Sequence, residues 1–215
     1  VALISLLIGI AWPTLLELPS PTGTRAVVAG TGILGALVAV LSPERFTPTS
    51  GVVMVCATGV FASFAHQMLR RERRELTESL TGTVAGAFVS GIAASWVIAQ
   101  SGAVAYGSGA LVTAMAVGLA TTLLLNTAPL PVAPRLVLSI LAGAAVTAVL
   151  AISLAGVAPL FAAVAGLVTA IGAGCAHLLA GSPLVAKEPV PSLAVAAVPV
   201  ATVGVVAHLM VLLLS

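Results

Sequence analysis

The sequence predicts an all-α integral membrane protein of about eight transmembrane helices, arranged as two parallel four-helix repeats with no soluble domain. Three observations predict it. The 215 residues are 60% hydrophobic and only 7% charged, with a mean hydropathy of +1.24. A soluble domain keeps roughly a quarter of its residues charged, so the solvent of this chain is lipid. Secondly, the apolar residues come in continuous runs of about 17 to 25, the length that crosses a hydrocarbon core of about 30 Å as a helix. The runs do not alternate as barrel strands do, and a spanning segment must satisfy its own backbone hydrogen bonds. Thirdly, "ELPSPTGTR" at residues 17–25 is echoed by "TAPLPVAPR" at residues 127–135.

Taken in order, the expected spans are Val1–Leu16, Arg25–Leu41, Gly51–Leu69, Leu80–Gln100, Ala110–Asn126, Leu136–Leu154, Leu160–Leu179 and Leu193–Leu214. The first opens inside an apolar run without a basic leader, so it reads as a span and not as a signal peptide. The second follows Pro19 and Pro21, and the third follows Pro43 and Pro48. Proline lacks an N–H and disfavours helix in the residue before it, so these prolines are expected to stop helices. The fourth follows "RRERRE" (residues 70–75), where spacing of four pairs Arg71 with Glu75 and Arg74 with Glu78 and suits a helix continuing out of the membrane. The fifth follows "SGAVAYGSG", the sixth and seventh are introduced by prolines, and the eighth follows Pro183, Pro189 and Pro191.

The repeat rests on residues in chain order. A shift of 110 carries Pro19, Pro21 and Arg25 onto Pro129, Pro131 and Arg135; a shift of 111 carries Pro48 onto Pro159 and His66 onto His177. With 13 prolines and 3 histidines in the chain, this series points to duplication of a four-span unit. The halves are residues 1–105 and 106–215. Four is even, so they are expected to be parallel, related by an axis along the membrane normal.

Basic residues near span ends set orientation. With the 70–75 run in the cytoplasm, Arg25, Arg70, Arg71, Arg73, Arg74, Arg135 and Lys187 share that side, and only Arg45 among the 8 Lys and Arg lies outside. In its richness in Ala, Val and Gly with short proline-rich turns, the chain resembles polytopic proteins of actinobacterial plasma membranes. That resemblance implies a bacterial plasma (inner) membrane location.

The candidate contact residues are few. His66 and His177 near the ends of the third and seventh spans suit a quinone, proton or headgroup contact, or simply an interfacial histidine where the helix dipole favours a cation. Arg25 and Arg135 are expected to meet lipid phosphate or an adjacent helix C-terminus. Arg70, Arg71, Arg73 and Arg74 are candidates for anionic headgroups or a docked partner. His208 lies deep in the last span, where ionisable groups are functional suspects by default, although a neutral histidine bonded to a neighbouring helix is the commoner case. Cys56 and Cys175 read as small hydrophobes.

There is no Asp, and no Glu or Lys in the middle of a span; coupled carriers usually place such groups on their path. No CxxC, HExxH, P-loop or paired-acid motif occurs. The expectation is therefore a non-catalytic protein without a cofactor, metal or nucleic-acid partner. It is expected to contact anionic lipids and other membrane subunits as an accessory subunit of a larger complex. The rival is a permease or flippase for a lipid-like or small neutral substrate, which should hold a polar cavity on its pseudo-axis.

Overall fold

The structure, a computed structural model, describes residues 1–41, 48–70, 75–181 and 189–214. Its regular elements there are all helices: α1 (Ala2–Leu15), α2 (Pro21–Leu41), α3 (Pro48–Leu69), α4 (Leu76–Ile92), α5 (Ser95–Ala105), α6 (Gly109–Leu125), α7 (Val132–Ala155), α8 (Pro159–Ala180) and α9 (Pro189–Leu214). Among the described residues six segments are long and apolar enough to cross a membrane: α2, α3, the joined α4–α5, α7, α8 and α9. The first helix of each expected half falls short, with 14 residues in α1 and 17 in α6.

Several helices begin earlier than expected. Pro21, Pro48, Pro159 and Pro189 each stand first in a helix. The first turn has unpartnered N–H groups in any case, and proline's fixed φ suits it. These prolines are therefore starts as much as stops. Pro13 lies inside α1, where it cannot donate to the Gly9 carbonyl.

The expected fourth span is longer than Leu80–Gln100 and is stepped. Ala93 and Ala94 keep right-handed backbone, but their N–H groups bond three residues back, to Ser90 at 3.3 Å and Gly91 at 3.1 Å. That is a short 3₁₀ step, tighter than the α-helix on either side. The expectation of one helix continuing through "RRERRE" meets a break at Glu75. Its φ of 51° is left-handed, so α4 starts anew at Leu76.

Small residues let the helices approach closely, as lipid-embedded packing requires. In the α6–α7 pair, Gly118 faces Thr147 and Gly143 faces Thr122. A Cβ on either glycine would stand 2.7 Å from the other glycine's carbonyl oxygen. Both threonine hydroxyls donate to the carbonyl four residues back on their own helix, Gly118 at 3.0 Å and Gly143 at 2.9 Å. Polar need is thus met within each helix while the backbones touch.

Within the first half α2 packs on α1, α3 and α4; within the second α7 packs on α6 and α8, and α8 on α9. The halves meet through α1, α4 and α5 against α9, and α5 against α6. Successive helices pack in the same order in both halves. The likeness is partial, because α2 packs closely on α4 and α7 has no comparable contact with α9. The largest core cluster lies at the junction, where Ala99, Ala103, Met115, Ala165, Ala207 and Met210 meet. The outer faces are apolar, with Leu160 and Leu179 79% and 89% exposed. Water would penalise such a surface, whereas lipid does not.

Candidate functional site

His66 lies in the last turn of α3 and His177 in the last turn of α8. The two ends lie on one face of the molecule. His208 near the end of α9 meets Thr49 at the start of α3, and Gly181 beyond α8 approaches Val195 near the start of α9. Since α9 connects both, the ends of α3 and α8 share the face opposite Thr49.

At the first end, α2, α3 and α4 build a saturated polar joint. His66 Nε2 and the Ser20 hydroxyl are 2.9 Å apart, and the imidazole covers Gly23, where a Cβ would collide with it. One residue on, Gln67 is 1% exposed. Its Nε2 donates to Ser79 Oγ at 2.7 Å, and its Oε1 accepts from Arg70 Nη1 at 2.9 Å. Arg70 Nη1 also reaches Ser79 Oγ at 3.2 Å. The chain continues through Thr83 Oγ1, which donates to the Ser79 carbonyl at 2.6 Å and lies 2.9 Å from Thr24 Oγ1. Arg70 therefore ties the end of α3 to the start of α4, and its charge adds strength to the bonds it donates. A buried amide left unpaired here would cost about 1–3 kcal/mol.

The second end is built differently. Arg135 of α7 lies close enough for its charge to act on the His177 ring. Arg135 Nη1 reaches the Ala128 carbonyl at 3.5 Å. Arg135 Nε and His177 Nδ1 are buried without a hydrogen-bond partner among the described residues. Carried across the repeat, Ser20, Gln67, Ser79 and Thr83 fall on Leu130, Leu178, Val190 and Ala194. Arg70 falls on Gly181, so among these counterparts the second end keeps the histidine but not the arginine, hydroxyls and amide that join the first, and its Arg135 is the counterpart of Arg25.

Arg25 and Arg135 do sit alike along their helices, fifth in α2 and fourth in α7. Their contacts differ from each other, for Arg135 lies by the Ala128 carbonyl just beyond the end of α6. Arg25 Nε donates at 3.3 Å to the carbonyl of Ile10, which lies inside α1 and not among its terminal carbonyls. Arg71, Arg73 and Arg74 lie outside the described residues, as do Arg45 and Lys187. Cys56 is buried and Cys175 exposed, both as free thiols. Among the described residues no group of three or more His, Cys, Asp or Glu side chains gathers to hold a metal.

Ser20, Gln67, Ser79, Thr24 and Thr83 were missed as site residues by sequence reasoning. The available signal was the four-residue spacing of Ser79 and Thr83, which puts both on one face of α4. Searches against family models, curated proteins and solved structures found no match for this chain.

Proposed function

We propose that this chain is a non-catalytic accessory subunit that packs against a larger complex in a bacterial plasma membrane, such as a respiratory or envelope-building assembly. In this reading it is built from two parallel four-helix repeats. The 70–75 turn faces the cytoplasm, and the His66 and His177 ends lie at the anionic headgroups. The second end, where nitrogens of Arg135 and His177 have no partner among the described residues, is the one that a phosphate or a neighbouring subunit would complete.

The observation that carries the proposal is the junction of the halves. Trp96 of α5 is pressed onto Gly204 of α9, and its indole N–H donates to the Val200 carbonyl at 2.6 Å. A carrier built on a pseudo-axis needs an opening there; a subunit needs rigidity there and a large outer face. The outer face is supplied by α3 and α7, whose most apolar stretches are 28% and 22% buried.

The test is gentle solubilisation of the tagged chain from its own membrane, followed by mass spectrometry of the proteins that stay bound. A stoichiometric membrane partner is expected. A chain that elutes alone, and that moves a lipid or small neutral solute when reconstituted by itself, would put the permease or flippase reading in its place.

A further inference from the structure

A groove of about 330 Å³ lies between α3, α4, α5 and the last turns of α9. It follows α3 from Thr49 to Val60, eleven positions (60 − 49), which is about 16 Å of helix. Helices α3 and α4 are antiparallel, since Gln67 meets Ser79 and Cys56 meets Gly91. Phe88 therefore lies toward the Val60 end.

The two ends of the groove differ in chemistry. At one, His208 Nε2 and Thr49 Oγ1 stand 3.5 Å apart, long for a bond to each other and open to a third partner. Ser95 lines the same groove. Toward the other end the walls are Cys56, Val60, Ile92 and Phe88. Its lips, Val53 and Phe88, are 61% and 53% exposed, so the groove opens sideways into lipid. Among the described residues that line it there is no Lys, Arg, Asp or Glu, so none of them offers a counter-ion to a buried charged head. A neutral imidazole nitrogen offers either an N–H or a lone pair according to tautomer, which suits a carbonyl or hydroxyl oxygen.

We propose that this groove binds one neutral, single-headed lipid, with an alcohol or carbonyl oxygen at His208 and Thr49 and its chain running along α3 toward Phe88. The volume holds roughly ten groups of water-like size at about 30 Å³ each, enough for the head and first carbons. The remaining chain leaves between Val53 and Phe88. His208 is six residues before Leu214, about 9 Å along α9. The head thus sits near the surface opposite His66 and His177, and the chain points toward the midplane, as a lipid lies. This site does not depend on the subunit reading.

The experiment uses 1-hexadecanol carrying a mid-chain diazirine on the purified full chain in nanodiscs. Photolabelling is expected to map to residues 52–60 and to vanish under excess 1-hexadecanol. Stronger competition by a short-chain prenyl quinone would assign the head as a carbonyl, and weaker competition as an alcohol. His208→Leu should lower labelling about two- to tenfold, the loss of one neutral hydrogen bond, while His208→Gln, which keeps a donor and an acceptor, should retain it. Ala57→Trp, at an exposed position on the groove wall, should block labelling with His208 intact. Equal labelling by a headless hexadecane diazirine would overturn the proposal. So would label scattered over the outer faces of α7 and α8, or full labelling in both His208→Leu and Ala57→Trp.

Discussion

Trp96 and Gly204 fit as ring and floor: the indole Cδ1 lies 2.7 Å from where a Cβ on Gly204 would stand. The indole N–H donates to the Val200 carbonyl, four residues before that glycine. Trp12 repeats the design on α4, over Gly86, with its N–H donating at 2.8 Å to the Gly82 carbonyl, again four residues before. One joint closes α1 onto α4 within the first half, and the other closes α5 onto α9 between the halves.

Opening the second joint should loosen the halves. Gly204→Val should destabilise the protein by about 1–3 kcal/mol, since extra carbons in a packed interface displace the ring. Trp96→Phe, which keeps a ring and loses the donor, should cost less, about 0.6–1.7 kcal/mol for an interhelical bond in lipid. Detergent unfolding curves read both. A Gly204→Val protein as stable as the parent would show that the ring is not held there.

Two glycine substitutions should move stability in opposite directions. Gly118→Ala would place a Cβ 2.7 Å from the Gly143 carbonyl oxygen, so α6 and α7 must separate; a loss of about 1–3 kcal/mol is expected. Gly30→Ala meets nothing within 4 Å and lowers the backbone entropy that the unfolded chain loses on forming the helix, so a gain of about 0.5–1 kcal/mol is expected. Measured in one host, the pair separates packing from propensity.

Glu17 closes α1 in left-handed backbone, φ 51°. Its N–H bonds to the Thr14 carbonyl at 3.4 Å, and the Leu18 N–H bonds to the Pro13 carbonyl at 2.8 Å. This is the Schellman cap, whose usual residue is glycine. Glu17 is exposed, so Glu17→Gly should remove strain without losing packing and stabilise by about 0.5–1 kcal/mol. A thermal shift in detergent measures it; a fall in stability would mean that the carboxylate has a partner.

The polar joint at the first end should show coupling. In a double-mutant cycle of Gln67→Leu and Ser79→Ala, the interaction energy should be about 0.6–1.7 kcal/mol, the range of hydrogen bonds between helices in lipid. A cycle of Leu178→Ala and Val190→Ala, at their counterparts in the second half, should give a value near zero. Equal values would mean that the two ends are built alike.

The helices are legible in the sequence because an apolar run of spanning length leaves the chain no other structure. Their starts are harder to read. Pro21, Pro48 and Pro189 have the same chemistry whether they end one helix or open the next, and composition does not separate the two roles. His66 and His177 are legible as helix ends, since each closes an apolar run. Their partners are hidden. Ser79 and Thr83 on an apolar helix look like packing until α2 and α3 supply Thr24 and Gln67 to face them. The tryptophan joints link positions 70 and 104 residues apart, and nothing local to Trp96 announces Val200. The 3₁₀ step at Ala93–Ala94 has no glycine or proline at the step itself to betray it.

The bound pair α6 and α7 has a consequence for the bilayer itself. With 17 and 24 residues, the two helices span about 25 and 36 Å, yet Gly118 and Gly143 hold them backbone to backbone. A hydrocarbon layer of about 30 Å is too thick for one and too thin for the other, at a cost of fractions of a kcal/mol per Å. Tilting α7 would relieve its excess but carry α6 along. In the eight-span reading proposed above, the lipid beside this hairpin would thin against α6 and thicken against α7, which would make the chain sensitive to the membrane it is placed in.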